Sequence, residues 1–329
     1  MPSEAVEFHA PDMIGWIPFR IRDDGACLLI DWCNVADGQL EDAYFDQTIH
    51  RLLHDDARTL RTTSINVLSG STNSTPAGFI FHISRCGSTL ITRMLASVQR
   101  FTVFSEPAIL ETVLRGSYRQ NAASNKQTVA LLKNIIDAFV NHRADGRATF
   151  IKFTARAISD YALVMKAYPQ VPCLFVYRDP IEVLVSLIGT QGERLPPGLS
   201  EAGLMSGDPQ EIGAMTAAEF WARVVAGQCA AALEMCSCSQ PLLVNYSELP
   251  AAIWTHVANA LGIEFSGADI QCMQGAITHN AKDPRKRFAD DRAAKHAAAT
   301  PPIRALTERW VTPHYDRLES IRVAARYRS

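Results

Sequence analysis

The sequence predicts an α/β protein in which helices cover both faces of a parallel sheet. From Gly78 onward, short apolar runs typical of buried strands alternate with longer segments that have the apolar spacing of amphipathic helices. The strand candidate at 79–83 also runs into a turn of small residues and directly into a helix. Parallel α/β sheets use this strand–turn–helix connection to bind anions.

The alternation consists of five strand candidates and five helix candidates. The strand candidates are short and rich in β-branched and aromatic residues, and they lie at 79–83, 101–104, 148–153, 173–177 and 242–245. The helix candidates repeat apolar residues at three- and four-residue intervals, and they lie at 90–98, 128–141, 158–168, 181–188 and 217–235. A long Gly- and Pro-rich loop at 191–215 and a last helix at 303–325 complete this region.

Residues 1–75 are predicted to form a separate, small α+β lead-in, and residues 76–329 to form the main domain. Within the lead-in, residues 26–32 have the pattern of a strand and residues 41–53 that of a helix. A polar run of small residues at 69–76 is typical of a linker. The role of the lead-in does not follow from its residues.

Composition places the chain among ordinary globular proteins. Of its 329 residues, 47% are hydrophobic and 20% are charged, and the net charge is −2. A nearly neutral chain without a long apolar run predicts no binding to nucleic acid or membrane. The eight cysteines include no C-x-x-C pair, and the acidic N-terminus lacks a signal-peptide core, which together predict a cytoplasmic protein with reduced thiols. The cysteines and histidines lack metal-ligand spacing, so no metal site is predicted.

The turn between the first strand and helix of this region carries the residue types of an anion site. Its sequence, Ser84-Arg-Cys-Gly-Ser-Thr89, does not fit the G-x-x-x-x-G-K-[ST] pattern of nucleoside triphosphatases. It instead places one Arg before a Gly and a helix N-terminus, where backbone N–H groups and the helix dipole attract negative charge. The alternative is a structural turn with a Ser cap, which leaves the Arg unexplained.

A second segment has the same character. The strand candidate at 173–177 leads into Arg178, and Pro180 then opens a helix that carries Ser186. The carboxyl end of a parallel strand is where open α/β sheets bind ligands, and an Arg fork with a nearby hydroxyl suits a phosphate. The alternative is a surface turn made by Arg178 and Asp179, with a buried structural Ser186.

Taken together, the two segments resemble the phosphate-binding elements of sulfotransferases that use 3′-phosphoadenosine-5′-phosphosulfate (PAPS). In that family a strand leads into K/R-x-G-[ST]-[ST] and a helix, and a later strand ends in an Arg followed eight residues on by a Ser. Arg85 and Arg178 begin the matching patterns here. The segment 243–249 resembles the family's later strand and Tyr-Glu element. The resemblance covers residues 78 to 263 and implies a three-layer sheet like that of P-loop nucleoside triphosphatases.

The resemblance also implies a cofactor site. Arg178 and Ser186 would hold the 3′-phosphate, and Tyr246 would lie near the adenine. A basic run at 282–288 is either a loop that closes over the cofactor, with Arg285 or Arg287 on the 3′-phosphate, or a solvated turn. The 5′-phosphosulfate would be held by the first element, with its cysteine as a small filler: Arg85, Cys86, Gly87, Ser88 and Thr89.

The choice of catalytic base follows from a departure from one branch of the family. Cytosolic sulfotransferases carry Lys-Thr-His on a strand, and the similar segment Lys152-Phe-Thr154 retains the Lys but not the His. Protein-tyrosine and many bacterial or carbohydrate sulfotransferases instead have a Glu after the second strand, and this resemblance implies Glu106 as the base. Lys152 and Arg85 would then stabilise the leaving group. The alternatives are a strand-end cap for Glu106 and a solvent-facing Lys152.

The implied reaction is in-line transfer of the sulfuryl group from PAPS to a hydroxyl or amine, with release of adenosine 3′,5′-bisphosphate (PAP) and without a metal. The acceptor, whether a small molecule, a peptide or a glycan, is not predicted, nor is the oligomeric state. Two alternatives stay open: a nucleotide-dependent kinase or other phosphotransferase on the same fold, and a non-catalytic nucleotide-binding protein. The missing Walker Lys counts against the kinase.

Overall fold

The computed structural model describes residues 13–25, 27–35, 40, 42–55, 60–68, 74–116, 124–143, 145–191, 204–205, 208–278 and 291–326. Its strands are β1 (Trp16–Asp23), β2 (Leu28–Asn34), β3 (Leu60–Ser64), β4 (Gly78–His82), β5 (Phe101–Ser105), β6 (Ala148–Lys152), β7 (Cys173–Tyr177) and β8 (Leu242–Asn245). Its α-helices are α1 (Phe45–Asp55), α2 (Ser88–Ala96), α3 (Ala108–Leu114), α4 (Asn125–Asn141), α5 (Tyr161–Ala167), α6 (Pro180–Gln191), α7 (Pro209–Ala214), α8 (Ala217–Ser239), α9 (His256–Leu261), α10 (Gly267–Ala276), α11 (Arg292–Ala298), α12 (Pro301–Leu306) and α13 (Thr312–Arg326).

Five strands form one sheet in the order β5-β6-β4-β7-β8, which confirms the predicted parallel α/β architecture flanked by helices. β5 pairs parallel with β6, beginning with Phe101 opposite Ala148, and β7 pairs parallel with β8, beginning with Leu174 opposite Leu242. Every residue of β4, β5 and β7 is buried. This burial is the reason that the sequence shows these strands as continuous apolar runs rather than as an alternating pattern.

The lead-in contains a three-stranded antiparallel sheet in the order β1-β2-β3, as the predicted small α+β segment requires. The pairing of β1 with β2 extends from Trp16 opposite Asn34 to Asp23 opposite Leu28. The sequence predicted β2 but neither of its neighbours. β3 reads Leu-Arg-Thr-Thr-Ser and has one buried residue, so it lacks the apolar alternation by which strands are recognised.

The described residues divide into two compact units. Unit 1 is drawn from Met1–Phe79, Thr92–Pro172 and Ser266–Ile277. Unit 2 is drawn from Ile80–Ile91, Cys173–Phe265 and Thr278–Ser329. The division of the chain into a lead-in and a main domain at residue 75 stays a prediction.

In unit 1, aromatic packing fixes the lead-in helix α1 against β5. The ring of Phe45 lies 5.7 Å from the rings of both Phe104 and Phe139, and the last two rings stack on each other at 4.3 Å. The Ser105 hydroxyl donates a hydrogen bond of 2.9 Å to the carbonyl oxygen of Ala43. These contacts hold the start of α1 beside the end of β5, where Glu106 follows.

In unit 2, α13 is bonded to the end of β8. The amide of Asn245 donates to the Tyr315 hydroxyl and to Glu319, each at 3.0 Å. Glu248, in the short 3₁₀ turn after β8, is paired with Arg322 at 2.8 Å. The turn that carries Tyr246 is therefore anchored on both sides of that residue.

Three of the predicted stretches have a different secondary structure in the protein. The predicted loop at 191–215 contains α7, because Asp208 caps the helix and Pro209 starts it; residues 192–203 and 206–207 of that loop lie outside the described part. The helix expected at 158–168 begins as the 3₁₀ segment Ala155–Asp160 and continues as α5. The last helix consists of α12, a π-helical segment at Thr307–Val311 and α13. Across the described part of the chain, no helix has the length and apolar character needed to cross a bilayer.

His142 makes the stability of unit 1 depend on pH. Its ring is buried, Nδ1 lies 2.6 Å from the Phe139 carbonyl oxygen, and burial lowers its pKa from 6.5 to about 4. The unfolded chain therefore binds more protons than the folded chain between these values, so stability is lost as the pH falls through this window. We expect this residue to contribute a loss of about 2 kcal/mol between pH 7 and pH 5.

Urea unfolding of the wild type and His142→Asn at both pH values measures this loss. The variant should show a smaller decrease in the free energy of unfolding, whereas His50→Asn, at an exposed position of α1, should behave as the wild type. An unchanged pH dependence in His142→Asn would contradict the prediction.

Candidate functional site

The turn after β4 has unusual backbone at two positions. Arg85 has φ of 60° and Gly87 has φ of 87°, both in the left-handed region. Gly adopts this conformation freely, whereas it costs a residue with a side chain about 1–2 kcal/mol. α2 begins at Ser88, so its first backbone N–H groups, which have no acceptor within the helix, belong to this turn. Strained backbone of this kind is concentrated at functional sites.

The side chain of Arg85 connects the two predicted phosphate-binding elements. Its Nε donates a hydrogen bond of 2.8 Å to the hydroxyl of Ser186. Ser186 lies in the second turn of α6, 101 positions further along the chain and within the same unit. A guanidinium from one element therefore contacts a hydroxyl from the other, although the resemblance assigned them to opposite ends of the nucleotide.

Tyr246 connects the same turn to Arg178. A Cβ atom on Gly87 would lie 2.4 Å and 2.5 Å from the ring carbons Cδ2 and Cε2 of Tyr246, so the close approach requires a residue without a side chain. The guanidinium carbon of Arg178 lies 4.0 Å from the centroid of the same ring, which is a cation–π contact. Tyr246 is thus packed against both elements.

Arg178 is a buried cation held by two carboxylates. It is 5% exposed, which excludes the surface-turn alternative. Its Nε donates to Glu182, and its Nη2 donates to Asp291 at 2.7 Å. Burial lowers the pKa of Arg178, but the bonds to Asp291 and Glu182 outweigh that effect, so its pKa lies above the ordinary value.

Asp291 bridges Arg178 to a second cation. Its other carboxylate oxygen lies 2.8 Å from Nζ of Lys295, one turn along α11. Burial raises the pKa of Asp291, but its bonds to Lys295 and Arg178 hold it below the ordinary value. Burial lowers the pKa of Lys295. This carboxylate therefore lies between two partly desolvated cations.

Asp179, Glu182 and His296 bring three potential metal ligands together. Their ligand atoms lie within 4.8 Å of one another, and Nε2 of His296 is 3.6 Å from an oxygen of each carboxylate. The spacing of these residues in the sequence gave no metal signal. The carboxylate of Glu182 is already paired with Arg178, and that positive charge opposes the binding of a further cation.

A separate cluster in unit 1 contains the predicted base. Glu106 follows β5 with φ of 56°, and its Oε1 lies 2.8 Å from Nζ of Lys152. Lys152 is fully buried, which excludes the solvent-facing alternative, and its Nζ lies 5.4 Å from the centroid of the Tyr44 ring. The two side chains therefore form an ion pair in which the ammonium is buried and the carboxylate is partly exposed.

The lead-in also places a carboxylate near Glu106. Burial and the charge of Glu106 raise the pKa of Asp46, while a hydrogen bond from the Ala108 backbone opposes the rise. Thr154 occupies the position where the resemblance expects a His. Its buried hydroxyl has no hydrogen-bond partner in the described part of the chain.

The structure thus gathers the predicted site residues into two groups, one in each unit. Unit 2 holds the residues of the turn together with Arg178, Ser186 and Tyr246, and unit 1 holds Glu106 with Lys152. Arg285 and Arg287 lie outside the described residues. The sequence analysis missed the three charged residues that surround Arg178, which are Glu182, Asp291 and Lys295. Their one available signal was the four-residue spacing of charges, from Arg178 to Glu182 and from Asp291 to Lys295.

Comparison with known proteins gives matches among solved structures. No family model matches the chain, and no curated protein matches it. The sulfotransferase domain of the Synechococcus olefin synthase is 16% identical over 73% of this chain and 89% of its own, with a TM-score of 0.41. Sulfotransferase STF9 from Mycobacterium avium is 11% identical over 81% and 85%, with a TM-score of 0.44. A mouse sulfotransferase complexed with PAP is 12% identical over 80% and 92%, with a TM-score of 0.44.

The contact between Gly87 and Tyr246 can be tested by adding one methyl group. Gly87→Ala forces a side chain into the left-handed region and into the Tyr246 ring. We expect a loss of stability of about 1–3 kcal/mol, measured by urea unfolding.

Gly25→Ala provides a matched control, because Gly25 has φ of 86° but nothing within 4 Å of the added Cβ. Gly87→Ala should therefore destabilise more than Gly25→Ala, and the excess should shrink in a Tyr246→Ala background. Equal losses in the two variants would show that the ring imposes no constraint.

Proposed function

We propose that this chain is a PAPS-dependent sulfotransferase, which moves a sulfuryl group to a hydroxyl or amine of an acceptor. The observation that carries this proposal is the convergence of two anion-binding elements in unit 2. Arg85 bonds to Ser186, and Tyr246 packs against both Gly87 and Arg178. A nucleotide with phosphates at both ends needs such a pair of cationic elements joined by an aromatic surface.

The turn after β4 supplies the groups for the 5′-phosphosulfate. Backbone N–H groups at the start of α2 and the helix dipole attract an anion, and the Arg85 guanidinium adds a full charge. Arg178 and Ser186 supply a fork and a hydroxyl for the 3′-phosphate. Arg285 and Arg287 are proposed as further contacts of that phosphate. The Tyr246 ring offers a flat apolar face to the adenine.

Glu106 and Lys152 are proposed to handle charge during transfer. As the acceptor oxygen or nitrogen bonds to sulfur, Glu106 takes its proton, and the bond from sulfur to the bridging phosphate oxygen breaks. The negative charge that grows on that oxygen is stabilised by Lys152 and Arg85. None of these steps calls for a metal, and we propose a metal-independent, cytoplasmic enzyme. The acceptor class, whether small molecule, peptide or glycan, is open.

Binding of PAP tests the proposal directly. We expect wild-type protein to bind PAP in isothermal titration calorimetry with EDTA present. Arg178→Ala should weaken this binding about 10- to 100-fold, because it removes charge-assisted hydrogen bonds to a phosphate. The affinity of Arg178→Lys for PAP should lie between those of the wild type and Arg178→Ala, because lysine keeps the positive charge but lacks the two-pronged guanidinium.

Arg317→Ala is the matched control, since Arg317 is exposed on α13. A wild type that binds ATP with Mg²⁺ but not PAP would support the kinase alternative. Binding of PAP that is indifferent to both Arg178 variants would remove this residue from the site.

Glu106→Gln separates catalysis from binding. With PAPS and a panel of phenols, alcohols and amines, we expect the variant to release PAP about 10²- to 10⁴-fold more slowly than the wild type. Its affinity for PAP should stay within twofold, because Glu106 is not proposed to contact the nucleotide.

Two further variants serve as controls for this experiment. Glu106→Gln leaves the buried Lys152 without its carboxylate, so urea unfolding of Glu106→Gln, and of a second variant that keeps the charge, Glu106→Asp, must show that both are folded under the assay conditions. Glu111→Gln, on α3, removes a nearby carboxylate that pairs with Arg115 and should retain turnover. Full turnover in Glu106→Gln would place the base elsewhere, and PAP binding without transfer in any variant would favour a non-catalytic protein.

A further inference from the structure

In the structure, Arg178 is already paired with a carboxylate of the same chain, that of Asp291. Nη2 of Arg178 donates to Asp291 Oδ1 at 2.7 Å, and Nζ of Lys295 lies 2.8 Å from Asp291 Oδ2. The two oxygens of one carboxylate thus bind two cations from different elements, α11 and the end of β7. This is the arrangement that two oxygens of a phosphate would adopt between the same two groups.

We propose that Asp291 occupies the 3′-phosphate position in the nucleotide-free protein and that PAPS or PAP displaces it. The inference depends on the proposed function, because it takes Arg178 as the ligand of that phosphate. It adds that Lys295, which is paired with Asp291 in the nucleotide-free protein, binds the phosphate once the Asp291 carboxylate has moved away.

The charges around Arg178 favour such an exchange. Glu182 also pairs with Arg178, and Asp179 lies one position away from it. Among the arginine, lysine and carboxylate side chains of this cluster, the two cations Arg178 and Lys295 face three carboxylates, these two and Asp291. With Asp291 in place, the carboxylates would repel an entering phosphate. The donors of Arg178 and Lys295 would also be bonded to Asp291 already.

Exposure distinguishes the two carboxylates that hold Arg178. The side chain of Glu182 is 6% exposed and lies within α6, whereas that of Asp291 is 50% exposed and precedes α11. Asp291 is already half hydrated and can therefore move fully into water, while Glu182 stays to orient the guanidinium. Lys295, at 13% exposed, stays largely buried and needs a new anion once Asp291 has left.

Asp291→Asn tests the exchange, because it removes the competing charge and keeps the shape of the side chain. By calorimetry, we expect its affinity for PAP to exceed that of the wild type by about tenfold. Adenosine 5′-monophosphate, which lacks the 3′-phosphate, should bind both proteins equally. Asp316→Asn, which removes an exposed carboxylate on α13, is the control for a general change of charge and should match the wild type.

Lys295 is tested in the same background. Asp291→Asn/Lys295→Gln should bind PAP about tenfold more weakly than Asp291→Asn alone, because the phosphate then loses one cation. An unchanged affinity would show that Lys295 does not pass to the phosphate.

The outcomes separate this inference from the proposed function. If the wild type binds PAP and Asp291→Asn binds it no more tightly, the displacement is wrong and the proposed function stands. The displacement is also wrong if Asp291→Asn increases the affinity for adenosine 5′-monophosphate as much as it increases the affinity for PAP. If neither protein binds PAP, the proposed function and this inference fail together.

Discussion

The buried guanidinium of Arg178 is the constraint on which unit 2 depends. A cation removed from water is stable only when hydrogen bonds and opposite charges replace its hydration. Glu182 supplies one partner from the helix that Arg178 precedes, Asp291 supplies another from a distant segment, and Tyr246 supplies the face of a ring. These three contacts hold α6, the approach to α11 and the turn after β8 around one side chain.

The contacts of Arg178 extend to the turn after β4 through Tyr246. Because Gly87 has no side chain, the ring lies against the backbone of the turn as well as against the guanidinium. Arg85 contributes a second connection through Ser186. The left-handed backbone of Arg85, which costs free energy, is maintained by these surroundings. Unit 1 has a comparable arrangement. The backbone of Glu106 is also in the left-handed region, and its carboxylate is paired with the fully buried Lys152.

The sequence predicted the elements of the sheet better than it predicted the contacts of the site. The strands at 173–177 and 242–245 were located to the residue, because short strands that are largely buried appear in the sequence as nearly continuous apolar runs. β3 was missed because its residues are mostly polar. The phosphate-binding residues were predicted from two local motifs and the family resemblance that they carry, whereas the bond from Arg178 to Asp291 joins positions 113 apart. No local pattern reports a contact that only the tertiary structure creates.

The cationic side chains of both clusters already have hydrogen-bond or ion-pair partners within each unit before any ligand is considered. Arg85 donates to Ser186, Arg178 to Glu182 and Asp291, and Lys152 is paired with Glu106. A nucleotide therefore exchanges hydrogen-bond partners rather than filling unpaired ones, so the net free energy of each new bond is modest. Selectivity gains from the same exchange. In the proposed exchange, a ligand that lacks the 3′-phosphate leaves Asp291 paired with Arg178 and Lys295, so it forgoes the bonds that the phosphate would make to these two cations.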